Sequence, residues 1–359
     1  MLGVFFLFIT GLFLLIFGAE LFVKGATSTS RAIGISPLFM GLTVVALGTS
    51  LPEIFVTTVS VLRGAQSLAI GNIIGSNLAN LLLIGGGSAI IGELIVTRSI
   101  VYFHGPTMVG LTAVGYVLSS DASLTRLEGV FLLITFLFYI TLAVYIEGGQ
   151  DLTGHFPNRT CSKQQHNRTR VLIGNAAATL TGLVLLLVGS DWLVQSATRF
   201  SRLAGLSELV IGLTVVAVGT SLPELATSIV ATARGQQELA LGNIIGSNIT
   251  NLSLVLGLGL ASSRNVEIDT RLLSWDFPLL LVTTGFSYLI FRTTPSIRTN
   301  TGLILLGIYL IYVTHAILAA ISHPLESLTA WTLVVIILAV GIFFALRLKI
   351  RSFRSKSRF

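Results

Sequence analysis

Gly48-Thr-Ser-Leu-Pro-Glu53 appears a second time as Gly219-Thr-Ser-Leu-Pro-Glu224, and Gly71-Asn-Ile-Ile-Gly-Ser-Asn77 returns unchanged as Gly242-Asn-Ile-Ile-Gly-Ser-Asn248. Both repeats are offset by 171 residues, as is Gly41-Leu-Thr-Val-Val-Ala46 from Gly212-Leu-Thr-Val-Val-Ala217. Over residues 41–80 against 212–251, 26 of 40 positions are identical without a gap, which marks an internal duplication. A weaker likeness keeps the same register further out. Gly18-Ala-Glu20 aligns with Gly189-Ser-Asp191, Arg31 with Arg202, and Gly34 with Gly205, so the copied unit is a whole half of the chain.

The duplicated segments sit in a chain of 359 residues that is 53% hydrophobic and 10% charged, far too apolar for a water-soluble core. A bilayer crossing takes roughly 20 mostly apolar residues. Such stretches occur at 2–23, 35–62, 68–92, 101–118 and 127–146, then at 171–194, 206–233, 239–262, 272–291, 302–321 and 331–348. The first of them is long, has no preceding basic residue and runs straight into repeat sequence, so it reads as a retained helix and not a signal peptide. Five spans per copy is an odd number, so the second copy enters the membrane from the opposite side. The expected fold is an all-α integral membrane protein of two inverted five-helix repeats plus one extra C-terminal transmembrane helix. The expected organisation is a first repeat over 1–147, a cytoplasmic loop over 148–170, a second repeat over 171–322, and the extra helix with its basic tail over 323–359.

The net charge of +7 does not call for nucleic acid, because the basic residues lie in interhelical loops and in the tail from Arg347 to Arg358. With an outside N-terminus, 16 of the 22 Lys and Arg residues fall on one side, so the positive-inside rule puts the middle loop and the C-terminus in the cytoplasm of a multi-pass cell-membrane protein. The Asn-x-Thr triplets at Asn158 and Asn167 are then chance matches. A single cysteine, Cys161, excludes an intramolecular disulfide, and redox chemistry drops out.

Glu53 and Glu224 lie deep in apolar spans, where an ionised side chain costs at least about 2.5–3.5 kcal/mol and needs a partner. Neither span has a Lys or Arg in its interior, so a bound cation is the natural counter-charge. The Gly-Thr-Ser-Leu-Pro segment before each Glu should break the helix, since proline removes a donor and clashes with the preceding turn. Carbonyls freed there, with Ala46 and Ala217 as candidates, are tolerated at membrane depth only where they line a cavity. Around them stand the hydroxyls of Thr49, Ser50, Thr220 and Ser221, and from the following helix Ser76, Asn77 and Asn80 with Ser247, Asn248 and Asn251. Ser76 and Asn80 share a helix face, and Asn72 extends it by a turn. Every donor atom is oxygen, as a hard cation such as Ca2+ requires, and two carboxylates balance one divalent ion.

These paired motifs closely resemble the alpha-repeats of the cation/calcium antiporter superfamily, specifically its prokaryotic sodium/calcium exchanger branch. The resemblance covers both halves. It implies a ten-helix core, alternating access by sliding of the first and sixth helices, and a midplane site built by the second, third, seventh and eighth. By motif position it implies Glu53 and Glu224 as shared carboxylate ligands, surrounded by Thr49, Ser50, Ser76, Asn80, Thr220, Ser221, Ser247 and the carbonyls of Ala46 and Ala217. Asn251 departs from the Asp often found there, which removes one titratable group. The implied substrates are Ca2+ and Na+, with no cofactor.

Other polar residues have plainer explanations. Gly85-Gly-Gly87 and Gly257 suit close helix packing. Glu20 and Asp191 suit caps or ion pairs with Lys24 or Arg199, Asp276 an interfacial position, and the extra helix a place at the periphery. His104, His155, His166, His315 and His323 neither cluster in sequence nor pair through the repeat, so none is expected to hold a metal. An enzyme would need a catalytic arrangement such as Ser-x-x-Lys, His-Glu-x-x-His or Gly-x-Ser-x-Gly, which is absent, and broken inverted helices suit alternating access better than a channel. Sodium-driven Ca2+ exchange is the leading expectation; proton-coupled or K+-dependent cation exchange on the same fold is its rival, since a buried carboxyl can also carry a proton.

Overall fold

A computed structural model of the protein describes residues 2–150, 165–203, 217–263, 265–321 and 324–356. The helices are α1 (Leu2–Ile33), α2 (Pro37–Thr49), α3 (Leu51–Leu62), α4 (Gln66–Ile91), α5 (Ile100–Asp121) and α6 (Arg126–Gln150) in the first half. The second half has α7 (Gln165–Leu203), α8 (Ala217–Thr220), α9 (Leu222–Ala233), α10 (Gln237–Ala261), α11 (Leu272–Thr293) and α12 (Thr299–Ala320), and α13 (Glu326–Lys356) follows. Among the described residues nine helices are long and apolar enough to cross a membrane, and the bent pair α2–α3 makes a tenth. The remaining expected span, 206–233, is described from Ala217 onward as α8 and α9; most of the middle loop, with Cys161, lies outside the described residues.

The helix breaks fall where proline dictates. α2 and α3 meet at 45°, with Ser50 as the hinge at ψ 7°, and Ser221 sits at ψ 6° in the matching joint between α8 and α9. Pro52 and Pro223 then occupy the first turn of the new helix, where no amide donor is missed. Both new helices end alike. Arg63 and Arg234 cap them, and Gly64 (φ 76°) and Gly235 (φ 70°) take the left-handed turn, with Ala65 N donating to Ser60 O and Gln236 N to Ala231 O at 2.8 Å each. Wider π-turns also recur, at Ala79–Ile84 and Asn251–Val255 around Asn80 and Asn251, and at Ile100–His104 and Leu272–Asp276.

Among the described residues four short strands tie the halves together. β1 (Leu94–Ile95) pairs antiparallel with β4 (Ser296–Ile297), and β2 (Ser123–Thr125) with β3 (Asn265–Glu267). The first ribbon is locked by Glu93, which binds Ser296 and the Arg298 guanidinium; these bonds hold the exposed carboxyl below the usual range. In the second, Arg126 Nε donates to Ser263 O at 3.2 Å.

α1 and α7 cross at backbone contact: a methyl at Gly18 would lie 2.6 Å from Leu186 N, and one at Gly182 would collide with Phe22 N. The same closeness between Gly41 and Gly242 brings α2 against α10 and sets the interior of the site. α13 packs on α11 and α12, and His315 joins it through Thr329 Oγ1 at 3.2 Å.

Candidate functional site

α2, α3 and α4 of the first half and α8, α9 and α10 of the second converge on one buried polar cluster. The joints at Ser50 and Ser221 aim Glu53 and Glu224 inward, and each carboxylate is 1% exposed. Each is held by the opposite repeat: Ser50 Oγ donates to Glu224 Oε1 at 3.1 Å, and Ser221 Oγ to Glu53 Oε1 at 3.4 Å. The second oxygen of each, Oε2, is buried without a hydrogen-bond partner among the described residues. Among the described residues neither carboxylate takes part in an ion pair. Two buried carboxylates with oxygens to spare and no basic partner make a cation-binding arrangement.

The hydroxyls cross in the same way. Thr49 Oγ1 lies 3.3 Å from Asn243 Oδ1, and Thr220 Oγ1 3.3 Å from Asn72 Oδ1. The amide nitrogens turn back into their own repeats, Asn72 Nδ2 to Thr57 Oγ1 at 3.2 Å and Asn243 Nδ2 to Ser228 Oγ at 2.9 Å. Asn72 is thus more than an extension of a helix face, and Asn243 joins it. Their motif places them a turn from the expected ligands, but only the crossing of the repeats brings them to the threonines.

The remaining expected residues differ in how they are used. Asn251 Nδ2 donates to Ser76 Oγ at 3.0 Å and leaves its own Oδ1 without a partner. Its repeat counterpart does not match this: Asn80 and Ser247 are buried with no hydrogen-bond partner among the described residues on their side-chain polar atoms. Asn77 and Asn248 spend their amide nitrogens on their own helices, at 2.6 Å to Ile73 O and 2.7 Å to Ile244 O. The Ala46 carbonyl is not wholly free, since it accepts Ser50 N at 3.0 Å and has Thr49 Oγ1 at 3.4 Å. In the second half Ser221 N turns to Val218 O at 3.1 Å, and Ala217 opens α8.

A second buried polar group lies away from the carboxylates. His104 Nε2 is 3.2 Å from Glu147 Oε1 and His104 Nδ1 3.1 Å from Tyr139 Oη, while Ser36, the N-cap of α2, donates to Glu147 Oε2 at 3.1 Å. Glu147, the last residue of the expected first repeat, is carried inside by α6, where His104 and Ser36 hydrogen-bond to its two oxygens. Asp276, expected at the interface, is 8% exposed and occupies the π-turn that matches the one at His104. Glu20 pairs with Arg234 and not Lys24, and Asp191 accepts from Gln195 Nε2 at 2.7 Å and not from Arg199. These partners are brought up by tertiary packing across the halves or between turns of α7.

A multi-pass membrane protein with two inverted repeats and an oxygen-lined, doubly carboxylated centre belongs to the class of secondary cation transporters. Comparison with known proteins makes this specific. The family model for the sodium/calcium exchanger protein matches residues 3–145 and 175–318, and the chain belongs to this family of cation/Ca2+ antiporters, in its prokaryotic branch. It is 38% identical over 276 residues to the putative antiporter CaxA of Alkalimonas amylolytica, spanning 77% of this chain and 86% of that one. It is 30% identical over 339 residues to the sodium/calcium exchanger MaX1 of Methanosarcina acetivorans, spanning 86% and 97%. A solved structure of the sodium-calcium exchanger NCX_Mj, soaked with 10 mM Na+ and zero Ca2+, superposes with a TM-score of 0.75 at 29% identity, covering 87% of this chain and 98% of that one.

Proposed function

We propose that this chain exchanges Ca2+ for Na+ across the cell membrane by alternating access, with both ions using one midplane site. Glu53 and Glu224 supply the charge. Thr49, Ser50, Ser76, Asn80, Thr220, Ser221, Ser247 and Asn251 supply neutral oxygens, with the carbonyls of Ala46 and Ala217, and Asn77 and Asn248 stand behind them. The repeats of this reading run over 1–147 and 171–322, joined by a cytoplasmic loop at 148–170 and followed by the extra helix and basic tail at 323–359. The N-terminus faces out and the C-terminus faces the cytoplasm, in keeping with the distribution of Lys and Arg.

The observation that carries the proposal is the pair of 1% exposed carboxylates, each bonded to the other repeat's serine, lacking a basic partner among the described residues and keeping one oxygen unpartnered. One Ca2+ neutralises that pair, whereas Na+ ions sharing the same oxygens exclude it, which couples the two fluxes.

The test is 45Ca2+ uptake into proteoliposomes loaded in turn with Na+, K+ or H+. Uptake requires internal Na+, and Glu53→Gln or Glu224→Gln lowers it about 30-fold or more, as expected for truncating one member of a buried charge pair at ~2 kcal/mol or more. Uptake driven equally by a proton gradient alone replaces sodium with protons in this reading; uptake that also needs K+ replaces it with K+-dependent exchange.

A further inference from the structure

Thr49 and Thr220 each carry one hydroxyl proton and two lone pairs. A proton pointed at the bound ion repels it, and one given to the local backbone occupies a carbonyl that the site needs. For Thr49 the acceptors are Val45 O at 3.1 Å, Ala46 O at 3.4 Å and Asn243 Oδ1 at 3.3 Å, and the Glu224 carboxylate is also within its reach. Of these only the Asn243 oxygen takes the proton without occupying a backbone carbonyl or a carboxylate oxygen. The orientation of the Asn243 amide is settled by its other contacts. Its nitrogen lies 3.4 Å from Glu224 O, which can only accept, and 2.9 Å from Ser228 Oγ, so Oδ1 must face Thr49. Asn72 repeats the arrangement, anchored by Thr57 at 3.2 Å and accepting from Thr220.

We infer that Asn72 and Asn243 are positioning residues that draw the Thr220 and Thr49 hydroxyl protons across the repeat boundary, so that both hydroxyls present oxygen to the cation. They are not ligands; they decide which way the ligands face. The inference rests on the exchange reading above, and it predicts a substitution pattern that simple packing would not produce. Leucine has the branched shape of asparagine, though with bulkier methyl groups, and accepts nothing, whereas aspartate keeps the acceptor for threonine and can take a proton from Ser228 or Thr57.

The experiment compares Asn243→Leu and Asn72→Leu with Asn243→Asp and Asn72→Asp, reading Ca2+ half-saturation in 45Ca2+ exchange and Ca2+-induced shifts of the melting temperature in detergent. The Leu variants raise the half-saturation concentration roughly tenfold, the equivalent of one hydrogen bond, and the Asp variants retain or tighten it. Tolerance of Leu with failure of Asp is the pattern of a packing role and overturns the inference. If a Leu variant does not fold, Thr57→Val and Ser228→Ala, which release the amide from its anchor, raise the half-saturation by a smaller factor; no change there overturns the inference as well. Failure of the wild type to transport or bind Ca2+ strikes the exchange reading instead, so the two failures are distinct.

A different observation carries a second inference. The 171-residue offset maps Glu20 onto Asp191 and Arg63 onto Arg234, so the acid and base of one ion pair each have a counterpart on the opposite face of the membrane. In this structure only one pair is made. Glu20 on α1 binds Arg234 at the end of α9, and α1 lies along α9. Asp191 is bonded to Gln195 on its own helix, Arg63 has no ion-pair partner among the described residues, and α7 scarcely touches α3. The face of α3 that α7 leaves uncovered shows Phe55 69% exposed and Leu62 64% exposed.

The geometry points to a pair of ionic latches made in alternation, Glu20–Arg234 in this conformer and Asp191–Arg63 in its mirror conformer. Each transition breaks one pair as it makes the other, so the two states stay close in free energy, as a cycling transporter needs. Like the first inference it rests on alternating access. Its test is a double-mutant cycle on the exchange rate with Asp191→Lys, Arg63→Glu and the double charge swap. Residues that never meet act independently. Each single reversal slows exchange roughly two- to fivefold, the range of an exposed ion pair, and the swap restores it. Strict additivity overturns the latch; because the cycle is read with whichever cation drives wild-type exchange, it does not depend on that cation being Na+.

Discussion

α3 and α9 begin with the same Leu-Pro-Glu and end on the same Arg-Gly turn, yet they live in different surroundings. α9 is covered by α1, and its Glu20 contact closes the end at Arg234. α3 has no such cover from α7 and leaves Leu51, Phe55 and Leu62 exposed. Duplication copied much of the chemistry, so the carboxylates, Ser50 and Ser221, the threonines and the crossing asparagines obey the twofold relation, while Ser76 and Ser247 do not. The outer helices do not obey it, and the alternating access proposed above would exploit that inequality.

If the site is as symmetric as its hydrogen bonds, Ser50→Ala and Ser221→Ala should weaken Ca2+ binding alike, each by about 10- to 100-fold, since each removes a donor to a charged acceptor worth ~1.5–3 kcal/mol. Titration of melting temperature against Ca2+ measures both. The shorter bond of Ser50, 3.1 Å against 3.4 Å, predicts the larger loss there, and a reversed order would place the stronger half of the site on the other side.

The outer shell gives a smaller and unequal response. Ala226, the counterpart of Phe55, is a half-buried residue of α9. Ala226→Phe should overpack it and cost about 1–3 kcal/mol in thermal unfolding. Phe55→Ala should change stability by less than about 0.5 kcal/mol, because the ring is 69% exposed in this conformer. Equal costs would mean that α3 is covered as fully as α9.

The two strand ribbons offer the smallest contrast. Ser296 and Arg298 hold the Glu93 carboxyl below its ordinary range, so its stabilising contribution is present above the unfolded-state value and lost only as pH falls through the lowered one. The melting difference between wild type and Arg298→Ala should therefore persist from pH 8 down to pH 5 and fade in stronger acid. Arg126 bonds a carbonyl, which does not titrate, so Arg126→Ala should show a difference that is flat with pH.

Much of this molecule is legible in its residues. Periodic apolar runs mark the spans, Pro52 and Pro223 mark the breaks, and the repeated Gly-Asn-Ile-Ile-Gly-Ser-Asn names the helix that faces them. Glu53 and Glu224 stand out because a carboxylate in an apolar span is costly without a partner. Other features leave no local trace. The pairing of Ser50 with Glu224 spans 174 residues, His104 finds Glu147 across 43, and the amide of Asn243 reaches Thr49 across 194. Each is a contact between helices that sequence cannot place side by side.

The sequence by itself determined the membrane environment, the inverted duplication, the helix breaks and the oxygen-only chemistry of the centre, because each follows from composition, parity of spans, the geometry of proline or the cost of buried charge. Tertiary structure alone decided that the halves bind each other's carboxylates, that the asparagines orient the threonines, and that Glu20 meets Arg234 while Asp191 and Arg63 stand apart. Those outcomes depend on how helices cross. The glycines at Gly18, Gly41, Gly182 and Gly242 allow backbones to touch, and that closeness decides which side chains from distant parts of the chain meet.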